Sequence, residues 1–391
     1  MTPAAALQLA RRRTIGVAAA GFCTFLNLYA TQALLPVLGP AFDVPPERAS
    51  STVTAPLLAV ALVAPFVGSI SDMVGRRRLI LGAAALLVVP TALAATATSL
   101  SGLLAWRFLQ GLLLPFIFAI TVAYVGEECP GADGIRLTGT YVTATVAAGF
   151  SGRFLAGVAT ALAGWRSAFL LLAALTAAAA ALIALTLPPE RRFRPIRGLR
   201  RSAAGFAAHL TDRRLLAADA AGFAVLFTIV AAFTYANLLL AARPFGLGPA
   251  ALGSVFAVYL LGMVATPAAS RLAVKLGRRR ALAASVPVAF AGLALTLIPA
   301  LVAIIAGLAL IASAVFVQQA FAIGYVGATA RHAKSTAVGL YVTTYYAGGS
   351  VGGILPAGIW RSAGWPGCVA VIAAVQAAML GLVLLAWREE G

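Results

Sequence analysis

Gly139-Thr140-Tyr141-Val142-Thr143, with Gly149, Gly152, Gly164 and Trp165 after it, returns as Gly339-Leu340-Tyr341-Val342-Thr343 with Gly349, Gly352, Gly364 and Trp365. The displacement is constant and no gap is needed. A match that includes Tyr, Val, Thr and Trp is more than coincidence among Gly and Ala in apolar helices, and it marks an internal repeat. Working outward, Gly75-Arg76-Arg77-Arg78 has its counterpart in Gly277-Arg278-Arg279-Arg280, so the repeat reaches across most of each half.

The medium follows from composition. Charged residues are 10% of the chain and hydrophobic residues 62%, too little polar surface to cover a core of that size in water. A bilayer is the solvent that fits. Twelve apolar segments, from 14–40 through 365–387, are each about the 20 residues needed to cross it. The expected fold is an all-α membrane protein of twelve transmembrane helices in two six-helix pseudo-repeats, parallel halves related by an axis along the membrane normal. An N-terminal bundle covers 1–187, a basic linker 188–214 and a C-terminal bundle 215–391.

The net charge of +18 lies in short clusters between the apolar runs, which is a topology signal and excludes a nucleic-acid partner. Arg11–Arg13, Arg76–Arg78, the linker and Arg278–Arg280 mark one side, whereas the loops on the other carry Arg48, Arg166, Arg243 and Arg361. Both termini are therefore expected in the cytoplasm, with the linker lying on anionic headgroups. The run from Thr14 to Pro40 is too long for a signal-peptide core and reads as the first helix. Cys23, Cys129 and Cys368 form no pair, and His209 and His332 sit in basic segments, so no metal or cofactor is expected.

Four patterns carry chemistry. In Gly68-Ser-Ile-Ser-Asp72-Met-Val-Gly75-Arg76-Arg77-Arg78, Gly68 allows close helix approach, Gly75 the tight turn, and the arginines hold the turn at the headgroups. Val274 takes the place of Asp72 in the second half. Arg107 and Gln110 share a helix face, and an arginine at membrane depth costs several kcal/mol unless it faces a cavity or a partner. Arg107 is near enough to a boundary to snorkel; Arg153 is deeper, and its repeat mate is Gly353. Gly149 and Gly152 beside it allow helices to approach closely. Finally, Tyr29 and Gln32, Tyr341 and Tyr345, with Gln318, Gln319, Tyr235 and Asn237, outline a polar site near the midplane.

The Asp72 loop and Arg107-x-x-Gln110-Gly111 resemble signatures of the major facilitator superfamily. Leu28-Tyr29-Ala-Thr-Gln32-Ala-Leu-Leu-Pro36, Ala123-Tyr124-Val-Gly-Glu127-Glu128, Ser151-Gly-Arg153, Gly164-Trp165-Arg166 and Phe233-Thr-Tyr235 are similar to the YnfM-like branch of its drug:proton antiporters. The resemblance implies a conformational switch at Gly68, Asp72, Gly75, Arg76, Arg77, Gly149 and Gly152. In it, Asp72 would cap a helix of the other half in the outward-facing state. It also implies a small-molecule substrate, export by alternating access, proton exchange and a monomer in the bacterial inner membrane. No acid lies in the middle of an expected span, and Asp219, about one turn into the seventh, is the candidate proton carrier. Where that branch has a His-like position in its tenth helix, this chain has Gln319. Two intramembrane arginines leave a second transport reading, uptake or exchange of an organic anion through Arg107 and Arg153. A membrane-embedded enzyme would need a catalytic set at membrane depth, and the sequence offers none.

Overall fold

The computed structural model describes residues 3–129, 131–190, 210–262, 265–266, 277–330 and 334–387. Val274 and most of the expected linker lie outside the described residues. The chain runs up and down through α1 (Pro3–Leu28), α2 (Ser51–Val74), α3 (Arg76–Ala94), α4 (Leu100–Glu128), α5 (Ala132–Ala163) and α6 (Trp165–Thr186). The second half repeats this with α7 (Arg213–Ala241), α8 (Pro249–Val255), α9 (Arg278–Leu295), α10 (Leu301–Thr329) and α11 (Lys334–Ala386). Gly364 interrupts α11 with non-helical dihedrals, dividing it into two spans. Nine stretches of described residues are long and apolar enough to cross a membrane. The division at Gly364, the shorter apolar Pro249–Gly262 and α9 account for the rest of the twelve. Leu62, Phe66, Leu162, Leu185, Val302 and Leu385 are exposed, as side chains facing lipid tails would be.

The repeat read from the sequence is visible in backbone conformation. Gly75 and Gly277 precede their arginine clusters at φ 107° and 79°, and Gly164 and Gly364 precede their tryptophans at 82° and 59°. All four lie where an L side chain is strained, so the repeated glycines are required by the repeated turns. A Cβ on Gly152 would meet the carbonyl of Leu26, and one on Gly352 the carbonyl of Phe227. The fifth span of each half thus lies against the first through the same small residue.

The first span is broken, and proline explains part of the break. After α1 the chain makes a 3₁₀ turn at Ala30–Leu34 and resumes as helix over Leu35–Ala41. Pro36 has no N–H to offer the carbonyl four residues back, that of Gln32. Pro56 inside α2 strips the carbonyl of Thr52 in the same way. In a bilayer each freed carbonyl needs a new donor. Side chains from neighbouring helices supply them.

Candidate functional site

Arg107 on α4 is 1% exposed and does not snorkel. Its Nε donates to the Thr52 carbonyl at 3.1 Å, Nη1 to Asn27 O at 2.9 Å and Nη2 to Leu28 O at 2.7 Å. Nη1 also donates to Gln110 Oε1. These are the carbonyl freed by Pro56 and two at the break that ends α1. Gln110 passes the network on through Nε2 to Thr91 Oγ1 at 2.9 Å, and Asn27 Nδ2 donates to Thr176 Oγ1 at 2.8 Å. All three guanidinium nitrogens of Arg107 are engaged within the first half, so the side chain clamps broken helices together.

Arg153 on α5 is 2% exposed and is held differently. Nε donates to Gln32 Oε1 at 2.7 Å, and Nη1 donates to the Gly149 carbonyl one turn back. Nη2 carries no hydrogen bond among the described residues. The guanidinium carbon lies 4.6 Å from the ring centre of Tyr29, 4.4 Å from Phe256 and 5.0 Å from Tyr259. Each such contact is worth about 0.5–2 kcal/mol. Among the described residues no carboxylate comes within ion-pair distance of Arg153.

Gln32 links this arginine to the second half. Its Nε2 donates to Thr234 Oγ1 at 3.1 Å, and its carbonyl, the one Pro36 frees, accepts from Asn237 Nδ2 at 3.0 Å. Thr31 Oγ1, on the residue before Gln32, and Asn237 Oδ1 are buried without hydrogen-bond partners among the described residues. Further toward the face opposite the N-terminus, the Gly353 carbonyl accepts from Tyr235 of its own half and from Ser50 of the other, both at 2.8 Å. Thr54 Oγ1 donates to Ser350 O at 3.3 Å, and Arg361 reaches Glu47 at 3.7 Å. A Cβ on Gly353 would strike Thr54, one on Gly157 the carbonyl of Pro249, and one on Gly253 the carbonyl of Arg153. The two halves are therefore closed on one another at this face, across α2 with α11 and α5 with α8.

The other expected site residues are distributed more widely. Gln318 donates to Gln376 Oε1 at 3.0 Å, and Gln376 donates to Thr228 at 2.9 Å, a network inside the second half. Gln319 is partly buried on the same helix. Tyr341 lies over Gly222 and stacks on Tyr345 with ring centres 6.0 Å apart. Asp219, 4% exposed, is one turn from Gly222 and interacts electrostatically with Tyr341. At the N-terminal face Arg76 pairs with Asp72 at 2.6 Å and Glu127 at 2.7 Å, and the Arg77 amide donates to Glu190 at 2.6 Å. Asp72 thus meets a partner in its own half. A Cβ on Gly68 would meet nothing within 4 Å among the described residues. Phe256, Tyr259, Thr31 and Thr234 were not expected at the site. The only sequence signal for the first two is their spacing of three on one helix, which any buried aromatic face would share.

Residues 17–353 match the Major Facilitator Superfamily. The chain is 32% identical to the uncharacterized MFS-type transporter YybF of Bacillus subtilis, over 93% of this chain and 90% of that one. It is also 32% identical to the inner membrane transport protein YnfM of Escherichia coli, over 93% and 87%. The human organic anion transporter MFSD10 superposes on 98% of this chain and 100% of its own with a TM-score of 0.69, at 18% identity, a likeness of fold. Two repeated halves, a site at their meeting and these relatives agree: the chain belongs to the Major Facilitator Superfamily and is a multi-pass membrane transporter.

Proposed function

We propose that this transporter exports a small organic compound across a bacterial inner membrane by alternating access, as a monomer, with protons entering in exchange. The observation that carries the reading is the closure of one face around Gln32, Ser50, Thr54 and Gly353. With the basic loops and both termini in the cytoplasm, that face is the outer one, and Arg153 lies just beneath it. The bundles 1–187 and 215–391 would rock as two bodies about the site, joined by 188–214.

Proton exchange is inferred from the YnfM-like motifs, with Asp219, buried in α7, as its candidate carrier. The test is transport by inside-out vesicles with and without an imposed acid interior. Accumulation should rise with the gradient and collapse when it is dissipated. Flux that ignores the gradient in both directions removes the antiport reading.

A further inference from the structure

The two arginines differ in what they leave undone. Arg107 engages Nε, Nη1 and Nη2 with atoms of its own half. Arg153 engages only Nε and Nη1 and has no carboxylate beside it among the described residues. Aromatic faces make a buried cation tolerable, but they carry no net charge and cannot neutralise it. Thr31, the residue before Gln32, is fully buried with its hydroxyl unpartnered. The walls, Tyr29, Phe256 and Tyr259, present apolar surface apart from two phenolic hydroxyls.

We propose that the substrate is a small organic monoanion, a carboxylate on an apolar body, whose charge is taken by Arg153. This rests on the transporter reading above and names its substrate class. A guanidinium binds a carboxylate by donating charge-assisted N–H bonds, and Arg153 keeps Nη2 unbonded among the described residues. One uncompensated cation at the site matches one negative charge; a dianion would leave the buried complex charged. The rings that surround the empty guanidinium would then flank the apolar body of the ligand.

The probes are benzoate, its neutral amide benzamide and the cation benzamidine, which share one ring and nearly one size. Full-length protein in detergent is heated with each. Benzoate alone should raise Tm with dose, since a ligand that binds only the folded state stabilises it. Arg153→Gln should weaken benzoate by about 10–100-fold, the effect of losing a charge-assisted pair. Gln32→Glu keeps the shape and places a carboxylate against Arg153, so it should be more stable than wild type without ligand and should ignore benzoate. Protection by benzamide or benzamidine equal to that by benzoate overturns the proposal. So does no protection by benzoate, or undiminished protection in either variant. Counterflow of labelled probe in proteoliposomes separates the two readings. Arg153-dependent protection without counterflow leaves the anion site and removes transport. Counterflow of benzamidine without benzoate protection removes the anion site and leaves transport.

Discussion

Arg107 and Arg153 are both buried in the first half, and their surroundings are opposites. Arg107 faces carbonyls, and its donors are matched to acceptors left open where α1 ends and where Pro56 removes a hydrogen bond within α2. Arg153 faces rings, with a single glutamine and a single carbonyl for partners. The repeat carries the contrast further. Gly353 stands at the position of Arg153 and lets Thr54 come close, while Arg153 meets a glycine, Gly253, on the helix opposite. Both meetings of the halves thus need residues without a side chain, Gly353 in one and Gly157 and Gly253 in the other, and the second buries a cation with no carboxylate beside it among the described residues. Under the rocking proposed above, a side chain at such an interface would change environment and one inside a half would not.

Substitutions can break this contrast, taken in order of their expected effect on stability. Arg107→Met should cost the most, about 3 kcal/mol or more, because it orphans three buried carbonyls. Thermal unfolding in detergent measures it, and a Tm equal to wild type would end the clamp interpretation. Gly353→Val should cost about 1–3 kcal/mol by overpacking against Thr54. It should also bias the protein away from the closed outer face, read as greater labelling of a single cysteine placed at Ser350; unchanged labelling would remove Gly353 from the gate. Arg153→Ala should cost least, within about 1 kcal/mol, because removing an unneutralised cation offsets lost packing. Transport should nevertheless be abolished, with normal expression. Wild-type transport by that variant would return Arg153 to a structural role.

The fold was legible because its signals are local or repeated. Apolar length, basic turns, Gly75 with Gly277 and Gly164 with Gly364 need no knowledge of neighbours. Arg153 was set apart in the sequence by its mismatch with Gly353, and it lies buried where α5 meets α8. The contacts of Arg107 were not legible, because its acceptors are carbonyls at the end of α1 and one on α2 that Pro56 frees, and helix adjacency is not written in one helix. Gln318 illustrates the same limit: it reads as a polar residue at midplane depth, yet its partners Gln376 and Thr228 belong to its own half. Phe256 and Tyr259 matter through the charge they cover, which lies on another helix.

The Gly353 carbonyl shows how such a gate can part at low cost. Ser50 has one hydroxyl hydrogen, and it lies within reach of two acceptors, Gly353 O at 2.8 Å and Glu47 O at 2.6 Å. When the halves separate, that hydroxyl need only rotate to its own backbone, while Tyr235 still holds the carbonyl it leaves. The Ser50–Gly353 bond would be exchanged within each partner's own half, and neither of these two atoms would be stranded. For this pair, the opening proposed above would be a swivel of one hydroxyl rather than the loss of a bond.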